Sequence, residues 1–288
     1  MTPFDAAFEV TRFLFREIRR DLLGQIRNTG PRLLRALTDV AATFRSAHVV
    51  VLCYHRVRSR ERFDNQMAVL AERGYSVLSL PQFTAWLNGA PLPSRPAALL
   101  TFDHCYADQL ENTLPVLDSL KFPATFFPAS AVLAREHPDV AAHWRKTLLE
   151  LAQSGYSIGC HSHLHHDLTK LSMAELLREV VVSKQILEDI LGQRVSAFCY
   201  PYGAYDARVK EVVQEAGFDV AFTVDLGGVK FGDDPYSLKR VPVLGEPGPG
   251  QFGSYLSGRF LVSGSMLLYW KVRERLLDRK AFRAEAEA

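Results

Sequence analysis

Charge of one sign is what this chain most plainly lacks. Its 34 lysines and arginines stand against 32 aspartates and glutamates, a formal balance of +2 at pH 7. That balance supplies no bulk field for holding nucleic acid, so no nucleic-acid partner is expected. Cysteine is scarce: Cys53, Cys105, Cys160 and Cys199 are the four, and none belongs to a CxxC pair. Each lies in or beside an apolar run, where a free thiol is a small hydrophobe more often than a ligand or half of a disulfide. Long apolar runs are missing as well. No stretch approaches the ~20 residues needed to span a bilayer. Within the first twenty residues Asp5, Glu9, Arg12, Arg16, Glu17, Arg19 and Arg20 break up anything resembling the apolar core of a secretory signal. A cytoplasmic location is therefore expected, with the inner membrane face as a variant of it. No internal repeat or low-complexity tract stands out.

What remains is the composition of an ordinary globular chain, 48% hydrophobic and 23% charged over 288 residues. That length suffices for one large α/β domain or two smaller ones. Three parts are legible. Residues 1–47 carry Phe4, Phe8, Leu14, Ile18 and Leu22 at helical spacing, with arginines between, and read as an amphipathic helical extension. It either packs on the main domain or makes peripheral contact with an anionic membrane. Residues 48–245 alternate strand-like and helix-like segments. Short apolar runs such as Val49–Cys53 and Ala97–Phe102 suit buried parallel strands. Helices are expected over 64–73, 81–87, 108–120 (with Asp108 as N-cap), 143–154, 173–191 (with Ser172 as N-cap) and 206–216. Repeated βα units argue for a parallel sheet, open or closed into a barrel. Residues 246–288 begin with the turn-forming run Glu246-Pro247-Gly248-Pro249-Gly250 and form a C-terminal extension, apolar and aromatic over Met266–Leu277.

The polar residues with chemical capacity gather just after the expected strands: His55, then Asp103 and His104, then His161, then Tyr202 and Gly203. Functional groups of α/β folds collect at the carboxyl ends of strands. His161 and His165 are four apart, a spacing that on a tight loop lets two ring nitrogens reach one metal ion at ~2.0–2.1 Å. The competing reading of a bare HxxxH is chance. His163 and His166, beside them, read as supporting or solvated groups.

These motifs resemble those of the NodB-homology polysaccharide deacetylases. Leu100–Asp108 (LTFDHCYAD) is similar to the family's TFDDGYxD motif, Gly159–Leu168 (GCHSHLHHDL) to GSHTxxHPDL, and Phe198–Tyr205 (FCYPYGAY) to FAYPYGxY. Cys53–Val57 (CYHRV) resembles the MYHRV opening of one subgroup. The likeness spans roughly 48–243. It implies an irregular (β/α) barrel of about seven parallel strands. It implies removal of an N-acetyl group from a sugar or glycan by a divalent metal, zinc by expectation, with cobalt or nickel as alternatives. Residue by residue, it makes Asp103 the general base and His161 and His165 metal ligands. It places Pro201-Tyr202 at the oxyanion and His55 as the acid. No histidine follows His166, so the late-chain acid histidine of some members is absent.

Two positions depart from the family pattern. The third metal ligand, an aspartate in the family, falls on His104, and the glycine after it on Cys105. Histidine is a normal zinc ligand, and a neutral ligand replacing an anionic one leaves the metal's water more acidic. Cys105, however, stiffens a turn that glycine relaxes. Some relatives also carry an arginine two residues before the matched proline, pairing with the base; here that position is Cys199. Arg240 is the candidate to orient the base instead, with a plain surface arginine as the competing reading. The alternatives to a sugar deacetylase are a catalytically impaired carbohydrate-binding protein on the same fold and an amidohydrolase acting on a non-sugar amide.

Overall fold

The structure is a computed structural model that describes residues 49–131 and 138–257. The expected helical extension over 1–47, its membrane contact, and the segment Met266–Leu277 lie outside the described residues.

Seven strands build the frame: β1 (Val49–Tyr54), β3 (Ala97–Asp103), β4 (Thr125–Phe127), β5 (Ser157–Ile158), β6 (Ala197–Cys199), β7 (Val220–Leu226) and β8 (Leu238–Pro242). They lie in the order β5-β4-β3-β1-β8-β7-β6, and the short β2 (Ser76–Leu78) pairs with β3 off this path. Every pairing between these strands is parallel. The two outer strands also meet. Cys160, just past β5, bridges in parallel to Phe198 of β6. Its N–H donates to the Ala197 carbonyl at 2.9 Å, and the Cys199 N–H donates to its carbonyl at 2.8 Å. The sheet thereby becomes a nearly closed barrel of seven parallel strands with flanking helices.

Helices pack outside: α1 (Arg60–Glu72), α2 (Leu80–Leu87), α3 (Ala107–Leu120), α4 (Pro138–Gln153), α5 (Met173–Leu177), α6 (Ser183–Leu191), α7 (Ala207–Glu215) and α8 (Pro249–Leu256). Ser79 with Gln82, and Ser172 with Glu175, form capping boxes at the starts of α2 and α5, and the Asp206 side chain caps α7. The expected single helix over 173–191 is instead interrupted by a π turn, Arg178–Val182, between α5 and α6. Asp108 is not a cap either. The N-cap position of α3 is Tyr106, without a side-chain bond, while Asp108 sits in the first turn and pairs with Arg56 at 3.0 Å. The sequence reading also missed β2 and β8, both short. Residues 246–257 pack on α1: Gln66 Nε2 donates to the Pro247 carbonyl at 3.1 Å, Arg73 Nη1 donates to the Gly253 carbonyl at 2.9 Å, and Phe252 is buried.

Alternation along each strand decides what fills the barrel. Val49 and Val51, Ala97 and Leu99, Ala197 and Cys199, Val220 and Phe222, and Leu238 join Phe127 in one buried apolar cluster. Continuing the same alternation toward the strands' carboxyl ends gives Cys53, Thr101, Asp103 and Arg240. The apolar layers therefore end in a polar one. Among the described residues no helix is long and apolar enough to cross a membrane.

Closure depends on a close approach at Gly159, where an added Cβ would meet the Phe127 ring at 2.2 Å and the Ala197 carbonyl at 3.1 Å. Gly159→Ala is expected to lower stability by about 1–3 kcal/mol through overpacking, read from urea unfolding midpoints. An unchanged midpoint would show that the closure is looser than these contacts require.

Candidate active site

Asp103 closes β3 with both carboxylate oxygens engaged. Arg240 Nη1 donates to Oδ1 at 2.8 Å and Nη2 to Oδ2 at 2.8 Å, a bidentate pair whose side chains are 1% and 2% exposed. The guanidinium also donates through Nε to the Thr223 carbonyl at 2.8 Å and through Nη2 to Cys199 Sγ at 3.1 Å. The reading of Arg240 as a plain surface residue is thus wrong: β8, unrecognised in the sequence, turns it inward. Burial alone would raise the Asp103 carboxyl. The Arg240 guanidinium reverses that and holds it well below the usual carboxylate range, so Asp103 is an anion at neutral pH. Cys53 and Cys199, one on each side, direct thiols at Oδ2 from 3.5 and 3.6 Å. Burial pushes both thiols well up. All four cysteines are free and buried.

Three imidazoles converge above this pair. The donor atoms of His104, His161 and His165 lie within 4.8 Å of one another. His161 Nδ1 stands 2.8 Å from the Cys199 carbonyl, which can only accept, so Nδ1 carries the proton and Nε2 presents a lone pair. That Nε2 faces His165 Nε2 at 3.1 Å. Two nitrogens each ~2.0–2.1 Å from a tetrahedral zinc would stand about 3.3 Å apart, so the donor set fits such an ion. Burial lowers the pKa of all three rings, and the neighbouring imidazoles lower His104 and His165 further. Neutral imidazole is the ligating form. His55 completes the group: its Nε2 is 3.8 Å from Asp103 Oδ2, with 47% of its side chain open to solvent. That distance is an electrostatic contact rather than a hydrogen bond. Desolvation of the ring lowers its pKa, against the opposing pull of Asp103.

Pro201 and Tyr202 follow β6 in a 3-10 turn, and the Tyr202 ring packs edge-on against His165 with centroids 4.6 Å apart. The structure thus brings Asp103, His55, His104, His161, His165, Tyr202 and Arg240 together. It does so through strained backbone. Among the described residues, non-glycine positive φ occurs at His104 (76°), Cys105 (58°), Ser162 (64°), His165 (60°) and Tyr202 (57°), and at Lys121 elsewhere. Such conformations persist where surrounding contacts over-determine them, and they cluster at functional sites.

Two residues of the site carried no signal in the sequence reading. Gln109 of α3, fully buried, donates through Nε2 to the carbonyls of His55 at 2.9 Å and Asp103 at 3.2 Å, joining the ends of β1 and β3. Glu179, on the π turn, receives the backbone N–H groups of His163 and Leu164.

The sequence profile of the polysaccharide deacetylases matches residues 92–221. Those residues carry a polysaccharide deacetylase domain. A Bacillus subtilis (strain 168) relative named as a polysaccharide deacetylase, YxkH, is 26% identical over 221 residues, 74% of this chain and 78% of that one. The poly-beta-1,6-N-acetyl-D-glucosamine N-deacetylase of Staphylococcus aureus (strain MRSA252) is 23% identical over 193 residues, 64% of this chain and 66% of that one. Among solved structures, the Streptococcus pyogenes deacetylase PplD, in complex with acetate, superposes with a TM-score of 0.66 at 23% identity. It covers 72% of this chain and 97% of that one. At that identity the likeness is one of fold, and the fold is the deacetylase barrel.

Removing the guanidinium tests how this deacetylase-family site keeps its carboxylate charged. In the wild type, a folded-state pKa below the unfolded one means Asp103 contributes stability above the ordinary carboxylate pKa of ~3.9, lost as acid protonates it. In Arg240→Met, burial loses its main opponent and faces only His161 and His55, so the carboxyl is expected to titrate above its unfolded value, its contribution reverses and stability falls as pH climbs past that range. For metal-stripped protein the variant is expected to be about 3–5 kcal/mol less stable at neutral pH, with the deficit shrinking toward pH 4. Urea midpoints across pH 4–8 measure this, and a pH-independent deficit would contradict it.

Proposed function

We propose that this barrel is a metal-dependent hydrolase that removes an N-acetyl group from an amino sugar in a glycan or glycoconjugate precursor. One observation carries the reading: three imidazole donors converge beside one buried, ionised carboxylate at the carboxyl end of a polysaccharide deacetylase barrel. The relatives named for N-deacetylation of poly-N-acetylglucosamine favour that substrate class.

His104, His161 and His165 would hold the ion. Zinc suits three imidazoles best, with cobalt or nickel as substitutes. When bound, such an ion supplies a water acidified toward pKa ~7 and a polarised acyl carbonyl. The protein's own groups do the rest. Asp103 Oδ2, fixed in direction by Arg240, accepts the proton of the attacking water. His55, half open to solvent and 3.8 Å from that oxygen, delivers a proton to the departing amine nitrogen. The backbone of the Pro201-Tyr202 turn lines the place where the oxyanion develops. Arg240 is a positioning group that never meets the substrate.

A second reading has one observation in its favour. His104 stands at a positive φ in place of the family's aspartate, which is compatible with a decayed site that binds sugar without turnover; the two readings part on activity. The metal-loaded protein is expected to release acetate from β-1,6-linked N-acetylglucosamine oligomers, and a chelator to stop it. Asp103→Asn should lower kcat by about 10²–10⁴-fold with metal content unchanged. Acetate release untouched in Asp103→Asn would remove Asp103 as base. Absence of bound metal, with no activity gained in His104→Asp, would leave the binding reading.

A further inference from the structure

Glu179 is a buried carboxylate that the proposed chemistry leaves unused. Its side chain is 4% exposed, and it projects from the π turn Arg178–Val182. Its Oε2 accepts the N–H of His163 at 2.9 Å and the N–H of Leu164 at 2.8 Å. Its Oε1 faces His166 Nδ1 at 3.2 Å. Every one of these partners belongs to the stretch running from His161 through His166. Burying a carboxylate is costly unless its oxygens are met by donors, and here one loop supplies them all.

The turn is fastened at a second point. Ser183 Oγ donates back to the carbonyls of Glu179 and Val180 at 2.6 and 2.9 Å, and it stands 3.1 Å from Cys160 Sγ. Cys160 immediately precedes His161. The widened helix therefore grips the chain before the first histidine and again between the two. From the opposite side, the Ser130 N–H donates to the Ser162 carbonyl and the Ala131 N–H to the His163 carbonyl, both at 3.0 Å. Ser162 and His165, at φ 64° and 60°, bracket the two N–H groups that Glu179 receives. Left to itself, a non-glycine loop would relax out of that backbone. A π turn inside a helix is an uncommon device found most often at functional sites, and here it carries the acceptor of the His163 and Leu164 N–H groups in the middle of this loop.

We infer that Glu179 is a positioning residue that clamps the His163–Leu164 backbone, so that His165 Nε2 stays facing His161 Nε2, and thereby sets the affinity of the metal site. This rests on the metal centre proposed above. What matters in the clamp is an oxygen at the Oε2 position, not the charge: glutamine can keep that oxygen, aspartate withdraws it by one methylene, and alanine deletes it.

The test compares the full-length wild type with Glu179→Gln, Glu179→Asp and Glu179→Ala. It reads the zinc dissociation constant by chelator competition, the visible spectrum of the Co(II)-loaded protein, and the thermal midpoint of the metal-free protein. Glu179→Gln should bind zinc as the wild type does and keep its Co(II) spectrum. Glu179→Asp and Glu179→Ala should bind about 10–100-fold more weakly, with altered Co(II) bands and a loss larger than any shift in the metal-free midpoint accounts for. If the alanine variant fails to fold, the Gln and Asp pair decides. Wild-type affinity in a folded Glu179→Ala or Glu179→Asp, or rescue by Asp and not by Gln, overturns the clamp while leaving the metal centre standing. A wild type that takes up no zinc removes both.

Discussion

The buried pairing of Arg240 with Asp103 is the constraint around which the upper layer of the barrel is arranged. Through Nε, Nη1 and Nη2 the guanidinium reaches the Thr223 carbonyl on β7, Asp103 and Thr101 on β3, and Cys199 on β6. It is itself carried by β8. Four of the seven barrel strands are thus tied through one side chain. Replacing a buried ion pair by well-packed apolar residues is often neutral or stabilising, so stability alone does not account for it. It gives a carboxylate that is ionised, fixed in direction and shielded from water, which is what a proton acceptor beside a metal-bound reactant needs.

The same guanidinium shapes what lies above it. Burial first, then the mutual crowding of the imidazoles, lowers the pKa of His165 and His104; at His161 burial is again the main cause and the Arg240 charge adds to it, and neutral imidazole is the form that can offer a lone pair to a metal. The Cys199 carbonyl fixes which nitrogen of His161 does so. In this setting His104 is an intelligible substitution. Asp103 is already compensated by Arg240, so a neutral third donor would leave a metal centre more positive without leaving a buried anion unpaired. The cost is local: His104 and Cys105 both adopt positive φ at a turn where the family has a glycine.

Much of the frame was legible from residues alone. Val49–Tyr54 and Ala97–Asp103 form the strands expected of their apolar runs, and Asp103, His161 and Tyr202 sit just where those runs end. Elements were misread where local pattern and tertiary demand diverge. Leu238–Pro242 carries two basic residues in five, which hides a strand whose alternate position faces an internal carboxylate. Met173–Leu191 has the periodicity of one helix, yet a π turn interrupts it so that Glu179 reaches the histidine loop. Asp108 has the chemistry of a cap, but Arg56 engages it instead.

By itself the sequence determined the inventory and its order: a βα alternation, short continuous apolar runs ending in polar residues, and a histidine spacing that would suit a metal-binding loop. These are short-range properties, written in residue type and periodicity. Only the tertiary structure decided the partnerships. Arg240 finds Asp103 across 137 positions and Cys199 finds the same carboxylate across 96, and no local pattern encodes which distant side chain a closing barrel turns inward. Burial then does what sequence cannot express. It makes an arginine the compensating charge of a buried carboxylate, lowers the pKa of three imidazoles, and turns a helical glutamate into an acceptor for the loop that carries two of them.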